Sequence, residues 1–285
     1  MRKLLPLCGL LFPALLSFSS VSFAANKSIY GADNRRDVVE TDPFTRKLAR
    51  SVAAVFNGLE AGTDGLVSLP LLGFGTGYSL CPGERFADQP TGSFCTASLV
   101  APDLVLTAGH CVPSPASCPG KQFVFGFEMG AKGEWPSRVP ASDVYSCAEI
   151  TGFSNGETRD FAVIRLDRPV AGREPLALNR QAPPEAGAGV FVIGTPLGLP
   201  LKMADEARVR SVQADSFMTD LDTFGGNSGS PVFNTRTGLV EGIIIAGGQD
   251  LMLKDDVCVV NYVSAQDEGA GEQVAMASQF SSFIP

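Results

Sequence analysis

The sequence predicts an all-β fold of two six-stranded antiparallel barrels followed by a short C-terminal helix. Of its 285 residues, 45% are hydrophobic and 18% are charged, and the 31 glycines and 20 prolines indicate many turns between short strands. Strand-like runs fall into two groups on either side of a turn-rich stretch at 167–189. Two groups of about six strands favour two small antiparallel barrels over a parallel α/β sheet.

Residues 1–24 are predicted to be a secretory signal peptide. A short positive head precedes an apolar stretch, and small residues stand at the positions that a signal peptidase reads. The alternative, a membrane anchor, fits poorly because the stretch is short and contains Pro6 and Pro13. We therefore expect a secreted or periplasmic protein without a membrane anchor.

Residues 25–50 are predicted to be an N-terminal arm or a propeptide. Asp42 and Pro43 are suited to cap and begin a short helix that continues to residue 50. The arm also contains two consecutive arginines at 35–36. This pair is either a processing site or, as is more usual on an exposed arm, merely solvated.

Short apolar runs bounded by turn residues are predicted to be the barrel strands. The strands of the first barrel, within residues 51–170, are 51–56, 94–100, 104–107, 122–127, 144–150 and 161–166. Those of the second barrel, within residues 171–285, are 190–194, 207–213, 217–221, 231–233, 239–246 and 257–263. Residues 271–283 are predicted to form the terminal helix. The apolar positions partly on one face of that helix are Val274, Met276, Ala277, Phe280 and Phe283.

Three widely separated segments contain a candidate catalytic triad. His110, the only histidine, lies in TAGHC at 107–111, and imidazole exchanges a proton near neutral pH. Asp160 opens an apolar run, and Ser228 lies in GGNSGSP at 225–231. A serine nucleophile needs a base, and that base needs an acid that fixes its tautomer, so we predict these three roles for Ser228, His110 and Asp160. The alternatives for the acid are Asp143, Glu149 and Glu157.

The glycines around Ser228 predict an oxyanion hole. A backbone without Cβ atoms can turn tightly and aim the N–H groups of Gly226 and Ser228 at one point. Donors placed in this way stabilise the oxyanion of a tetrahedral intermediate, by roughly 3–4 kcal/mol for one donor. The alternative is that Ser228 is an ordinary turn residue in a glycine-rich hairpin.

Several motifs resemble those of the chymotrypsin/trypsin-like serine proteases. The matching segments are CTASLV at 95–100, LTAGHC at 106–111, DFAVIRL at 160–166 and GNSGSP at 226–231. GTPLGLPLK at 194–202 is similar to a stretch of the bacterial branch that includes the glutamyl endopeptidases. The resemblance begins near residue 51 and continues to the C-terminus. It implies a triad in the cleft between two six-stranded barrels, and hydrolysis of peptide bonds through an acyl-enzyme.

Six cysteines lie beyond the predicted signal peptide, an even number that favours disulfides in an exported chain. The resemblance implies a bond between Cys95 and Cys111, which would brace the loop that carries His110. The other four cysteines allow three pairings, of which we favour Cys118 with Cys147 and Cys81 with Cys258. A zinc site is the competing interpretation, but the chain lacks a close Cys-x-x-Cys pair. We expect neither a metal nor a cofactor.

Asp222 is the candidate specificity residue. It lies six residues before Ser228, the spacing at which trypsin-like enzymes hold the acid at the base of their pocket. The resemblance therefore implies cleavage after Arg or Lys, whose side chains would pair with this carboxylate. The alternative is that Asp222 caps a turn, because residues 222–224 replace the disulfide-bearing wall that is usual in the family.

Cleavage after glutamate is a second candidate specificity. Thr223 is compatible with the glutamyl endopeptidases, but the second-barrel strand at 242–247 lacks the histidine with which those enzymes bind the acid. By the same resemblance, Ala246 and Gly247 would form the open wall that pairs with the substrate backbone. Substrate binding is therefore assigned to residues 222, 223, 246 and 247.

The net charge of −8 and the isoelectric point of about 4.8 argue against nucleic acid or an anionic membrane as a partner. We expect a monomer that acts on protein or peptide substrates. The favoured function is that of an exported serine endopeptidase. The alternatives are a catalytically silent protease homologue that acts as a binding module, and an esterase-like hydrolase with the same triad.

Overall fold

The computed structural model describes residues 29–285, so the predicted signal peptide at 1–24 lies outside the described residues. The described part begins with a short arm. Its elements are β1 (Ile29–Tyr30), β2 (Arg36–Asp37) and the helix α1 (Pro43–Ala49). The Asp42 side chain caps α1 by accepting hydrogen bonds from two backbone N–H groups of the first turn, and proline occupies the first helical position, as the sequence predicts.

Six strands close the first barrel. The elements of this half are β3 (Val52–Asn57), β4 (Leu66–Ser68), β5 (Leu72–Gly73), α2 (Phe74–Gly77), β6 (Pro90–Thr91), β7 (Cys95–Ala101), β8 (Leu104–Thr107), β9 (Lys121–Phe125), β10 (Arg138–Pro140), β11 (Val144–Asn155) and β12 (Asp160–Leu166). The barrel order is β11-β12-β8-β7-β3-β9, and β9 pairs back to β11. Every residue of β7 and β8 is buried, because these strands pack on apolar neighbours on both faces.

The second barrel also closes through six strands. The elements are β13 (Gly189–Gly194), β14 (Lys202–Val212), β15 (Ser216–Thr219), β16 (Pro231–Asn234), β17 (Val240–Ala246), β18 (Leu251–Lys254), β19 (Cys258–Asn261), β20 (Val263–Ser264) and β21 (Glu272–Met276). The order is β13-β16-β17-β21-β15-β14, and β14 pairs back to β13. The arm adds to this half of the molecule, since β2 pairs with β14 and β1 pairs with β20. The predicted all-β fold of two antiparallel barrels is confirmed.

The predicted C-terminal helix is wrong. Residues 272–276 form β21, which pairs with both β15 and β17 and is the sixth strand of the second barrel. Val274 and Met276 belong to the interior of that barrel, whereas Ala275 and Ala277 belong to a different apolar cluster. Successive side chains therefore pack into two different clusters, one on each face, with the period of a strand. Two 3₁₀ turns follow, at Ala277–Gln279 and Ser281–Phe283.

The strand predicted at 257–263 is not part of a barrel. Its residues instead contribute to the antiparallel hairpin of β18 and β19 and to β20, which pairs with the arm. In the described range 29–285, no helix is both long and apolar enough to cross a bilayer.

The structure contains three disulfides, which join Cys95 to Cys111, Cys118 to Cys147 and Cys81 to Cys258. The first attaches the turn after β8 to β7. The third attaches the loop after α2 to the β18–β19 hairpin, where the backbone N–H of Cys81 donates to the Val259 carbonyl at 2.8 Å. Of the three, only Cys81–Cys258 joins segments that are remote in sequence, with a separation of 177 residues against 16 for Cys95–Cys111 and 29 for Cys118–Cys147.

Removing the Cys81–Cys258 bond should reduce stability more than removing the Cys118–Cys147 bond. The sequence separations are 177 and 29 residues, and a cross-link over a longer loop restricts the unfolded chain more, here by about 1.5 kcal/mol. We expect the Cys81→Ala/Cys258→Ala variant to have the lower free energy of unfolding in urea titrations. A larger loss from Cys118→Ala/Cys147→Ala would contradict this explanation.

Candidate active site

The imidazole of His110 and the carboxylate of Asp160 are in direct contact. His110 lies in a 3₁₀ turn after β8, and Asp160 is the first residue of β12, the neighbour of β8 in the first barrel. His110 Nδ1 is 2.5 Å from Asp160 Oδ2, and the His110 backbone N–H donates to Oδ1 at 2.9 Å. Because the carboxylate accepts, Nδ1 carries the proton of the neutral ring and Nε2 is left to accept one. The His110 side chain is 40% exposed, whereas that of Asp160 is 8% exposed.

Gly109 allows the turn of His110 to lie against its acid. A Cβ atom at this position would overlap the carbonyl of Ser154 and lie 2.7 Å from Asp160 Oδ1. The adjacent Cys111 is bonded to Cys95 of β7, which fixes the other side of the turn. The TAGHC motif therefore combines a close backbone approach, the base and an anchoring cysteine within five residues.

Ser228 lies on the loop between β15 and β16 and is adjacent to the first barrel. Its carbonyl accepts a hydrogen bond from the Thr96 N–H of β7 at 2.9 Å, and Cys111 Sγ lies 3.7 Å from the same oxygen. Gly229 has φ +85°, and a Cβ atom there would overlap the Thr96 carbonyl and lie 2.8 Å from the backbone nitrogen of Ala108. The serine loop is therefore in contact with the strand and the turn that position His110. Within residues 29–285, the hydrogen bonds of His110 are both with Asp160.

The backbone N–H groups of Gly226 and Ser228 are free donors. In the described part of the chain neither has an acceptor, whereas the N–H groups of Asn227 and Gly229 donate to the carbonyls of Phe224 and Ile244. Two free donors that flank one residue are the arrangement that an oxyanion hole requires.

Each of these two N–H groups shares a peptide group with the carbonyl of the preceding residue, and both of these carbonyls accept hydrogen bonds from other backbone N–H groups. Gly225 O accepts from the Leu197 N–H at 2.5 Å, and Asn227 O accepts from the Ser230 N–H at 2.8 Å. In a trans peptide the N–H points opposite to the carbonyl. The free N–H groups of this loop are therefore directed away from these partners by fixed peptide orientations.

The segment at 194–202 holds the loop from the other side. Gly226 has φ +90°, and a Cβ atom there would overlap the Thr195 carbonyl and lie 3.2 Å from the Leu197 nitrogen. The hydroxyls of Thr96 and Thr195 donate to the Gly226 carbonyl at 2.9 and 3.1 Å. The GTPLGLPLK stretch, which the sequence singles out, therefore has a structural role: it packs against the Ser228 loop at Gly226.

A cavity of about 190 Å³ lies beside Ser228. Thr223, Ala246 and Gly247, which are predicted to bind substrate, contribute to its walls. Two acidic residues, Asp250 and Glu272, also line it. A larger cavity of about 610 Å³ lies on the second barrel at residues 181–189 and 234–241, and none of the triad residues lines it.

Asp222 does not line the cavity beside Ser228, which differs from its expected position at the base of the substrate pocket. Its carboxylate is buried and accepts hydrogen bonds from the Tyr30 N–H at 2.8 Å and the Asn34 N–H at 3.1 Å. Burial raises the pKa of this carboxyl to about 6. The capping alternative was closer to this arrangement, although the capped backbone belongs to the N-terminal arm.

Arg35 is not solvated. The side chain is 1% exposed, is paired with Asp33 at 2.8 Å and stacks over the Phe224 ring at 4.2 Å. Phe224 lines the cavity beside Ser228. The expectation that both arginines of the 35–36 pair are solvated is therefore wrong for Arg35, because the arm packs against the wall of this cavity.

Glu272 is not among the site residues predicted from the sequence, because residues 271–283 are predicted to form a helix rather than a barrel strand. A period of two in the apolar residues at 274 and 276, after a glycine at 271, is the signal that could have found it. As the first residue of β21, Glu272 faces the cavity beside Ser228.

Cys95, His110 and Cys111 bring two sulfur atoms and a ring nitrogen within 4.8 Å of one another, a possible metal-binding geometry. The two sulfur atoms are bonded to each other, so neither is available as a thiolate ligand. Among the described residues this cluster therefore does not form a metal site.

Comparisons with known proteins agree on one family. Residues 95–243 match the family model of the trypsin-like peptidase domain. A glutamyl endopeptidase of Staphylococcus aureus (strain MRSA252) is 25% identical over 162 residues, which cover 54% of this chain and 43% of that relative. The corresponding protein of strain MW2 has the same identity and is covered to 47%, so the match spans less than half the length of these curated relatives.

Two solved structures share the fold. A Glu endopeptidase in complex with MPD has a TM-score of 0.54 at 18% identity, with 90% of this chain and 96% of that chain covered. Rv3671c from M. tuberculosis H37Rv has a TM-score of 0.51 at 15% identity, with 89% and 94% covered. The family model matches just over half of the chain, including His110, Asp160 and Ser228. The chain therefore belongs to the family of trypsin-like peptidase domains.

Proposed function

We propose that the protein is an exported serine endopeptidase that hydrolyses peptide bonds with His110, Asp160 and Ser228. The observation that carries this proposal is the contact between His110 Nδ1 and the buried Asp160 carboxylate, on a turn that touches the Ser228 loop. The presence of all three residues argues against a catalytically silent homologue. The family membership and the glutamyl endopeptidases among its relatives support a protease over an esterase.

The proposed chemistry is supported by the contact of His110 with Asp160 and by the packing of the Ser228 loop against the turn of His110. As a peptide binds, Ser228 Oγ approaches His110 Nε2, since catalytic hydrogen bonds tighten in the substrate complex. The ring takes the hydroxyl proton while Oγ attacks the peptide carbonyl, and Asp160 stabilises the imidazolium. His110 then gives this proton to the leaving amine, which departs and leaves an acyl-enzyme. Water, activated by the same ring, hydrolyses this ester.

The free N–H groups of Gly226 and Ser228 are the oxyanion hole of this proposal. They bind the carbonyl oxygen when it becomes negatively charged in the tetrahedral intermediate. Since the preceding carbonyls are already engaged elsewhere, the donors do not need to reorient during the reaction. Preorganised donors of this kind cost little free energy at the moment of reaction.

The compartment and organisation are part of the same proposal. Three disulfides favour an oxidising compartment, in line with the signal peptide expected at 1–24, and we assign the protein to the periplasm or the exterior of the cell. Residues 25–50 are the N-terminal arm, residues 51–170 the first barrel and residues 171–285 the second, in a monomer that acts on proteins or peptides.

Ser228→Ala should abolish covalent labelling by a fluorophosphonate probe and lower kcat by about 10⁶-fold, the loss seen when the serine of a comparable triad is removed. Labelling is read by gel fluorescence, and kcat with a mixed peptide substrate library. Ser137→Ala, an exposed loop position, is the control and should label like the wild type. A wild type that neither labels nor cleaves would refute the proposed function.

Asp160→Asn should lower kcat by about 10⁴-fold, because an amide favours the wrong tautomer of His110. Asp143 is the matched control, since it is a sequence-based alternative for the acid and is paired instead with Arg173 at 2.9 Å. We expect Asp143→Asn to keep nearly full kcat. Equal losses in the two variants would refute the assignment of Asp160.

Gly226→Ala should lower kcat by about 10²–10³-fold, because a Cβ atom displaces the loop and removes one oxyanion donor. The control is Gly172→Ala, which places the same residue at a similar φ of +71° in open space. Its strain is comparable but remote from the site, so its kcat should equal that of the wild type. An active Gly226→Ala variant would exclude this donor.

A further inference from the structure

We propose that Glu272, rather than Asp222, is the acid that selects substrates, and that the cavity beside Ser228 accepts the cationic side chain of Arg or Lys. The proposal rests on the proposed function, because this side chain belongs to the residue whose carbonyl Ser228 attacks. Glu272 lies outside the sequence motifs of the chain. The proposed preference for Arg or Lys also differs from the preference for glutamate that the names of the relatives state.

Glu272 has access to the cavity through a glycine. It begins β21, which pairs with β17, and Gly247 lies just beyond the end of β17. A Cβ atom at Gly247 would overlap Oε2 of Glu272. A side chain at this position would displace the carboxyl group from its present place, and with glycine there the wall next to the carboxyl group is bare backbone.

Three donors hold the Glu272 carboxyl group in place. The Thr223 hydroxyl donates to Oε2, the Gly248 N–H donates to Oε1 at 3.3 Å, and the Tyr30 hydroxyl donates to Oε1 at 3.2 Å. The side chain is almost fully buried, so it is fixed by these contacts rather than by solvent. Fixed acidic oxygens next to a cavity are suited to a directed pair with an ammonium or guanidinium group.

The charges around the cavity favour a cation. Its lining contains Asp250 and Glu272 but, among the described residues, no lysine, arginine or histidine. A glutamate side chain of a substrate would therefore lie against two acidic groups without a basic partner, which is unfavourable in a desolvated site. The single histidine cannot serve this purpose because it is engaged with Asp160.

Asp222 is unavailable for the same task. It does not line the cavity beside Ser228, and its Oδ1 and Oδ2 accept from the Tyr30 and Asn34 N–H groups of the arm. Tyr30 thus contacts both acids, with its backbone on Asp222 and its hydroxyl on Glu272. Asp222 is a positioning residue in this arrangement, and Glu272 is the group that contacts the substrate.

The ionisation of Glu272 gives the proposal a second readout. Burial, with the nearby charge of Asp250, raises its pKa to about 8, against the lowering effect of the hydrogen bonds from Thr223, Gly248 and Tyr30. The guanidinium of Arg210 lies 4.6 Å from the centre of the Tyr30 ring, on the residue whose hydroxyl donates to Glu272. Only the ionised carboxylate pairs with a cation, so kcat/KM for an arginine substrate should rise with pH through about 8 relative to a neutral one.

The first experiment compares peptides that differ only in the residue before the scissile bond, namely arginine, glutamine and glutamate. Above pH 8, where Glu272 is ionised, kcat/KM of the wild type should be highest for arginine and lowest for glutamate. In Glu272→Gln the ratio of arginine to glutamine should fall by at least about 30-fold, as when one partner of a buried charge pair is removed. The pH dependence of that ratio should disappear as well.

Asp222→Asn is the matched control, because it removes the other buried carboxylate near Tyr30. It should keep the arginine-to-glutamine ratio even if its overall kcat/KM is lower. Fluorophosphonate labelling at the wild-type rate shows that the triad of Glu272→Gln is intact. The proposal is overturned if that variant keeps its preference for arginine, if Asp222→Asn loses it, or if the wild type prefers glutamate.

The second experiment does not depend on hydrolysis. The Ser228→Ala protein is titrated calorimetrically with benzamidine, a cationic probe, and with the neutral benzamide. Benzamidine should bind at least about 30-fold more tightly, and Glu272→Gln should remove this difference. Equal binding of the two probes would overturn the assignment of Glu272, whereas a failure of fluorophosphonate labelling alone would refute only the proposed hydrolysis.

Discussion

The Ser228 loop reaches the first barrel because glycine backbone can pack directly against other backbone. At Gly229 there is no room for a Cβ atom between the loop and β7, and at Gly226 the segment 194–202 occupies the corresponding space. A side chain at Gly229 would move the loop away from β7 and the turn of His110, and one at Gly226 would move it away from the segment 194–202. The proximity of the Ser228 loop to the turn of His110 therefore depends on two backbone contacts, and the proposed acid–base chemistry depends on that proximity.

The N-terminal arm packs against residues that line the cavity beside Ser228. Tyr30 contacts both Asp222 and Glu272, and Arg35 stacks on Phe224 in the cavity wall. In this chain a buried carboxylate binds backbone N–H groups of the arm, whereas Asn227 on the serine loop is uncharged and bonds to Ser230. The residues around the cavity are thus held in part by hydrogen bonds to the arm.

Features with a local cause could be predicted from the sequence, and features that depend on remote partners could not. The strands of the first barrel and the cap at Asp42 were recognised because period, turn residues and capping chemistry lie within a few residues. Apolar residues at 274–283 fit both a helix and a strand, and only pairing with β15 and β17 decides between them. Tyr30, which donates to Asp222, is 192 residues away along the chain. The sequence could therefore suggest that Asp222 caps backbone N–H groups, but not which segment supplies them.

The pairing of the arm also sets the order in which the molecule can be completed. β2 joins β14, and β1 joins β20, so the first residues of the described chain have partners near its end. Contacts at such separations form late, since the entropy of closing a long loop must be offset before they contribute. A chain that emerges N-terminus first during synthesis or translocation therefore has no finished cavity until its last strands have joined the fold.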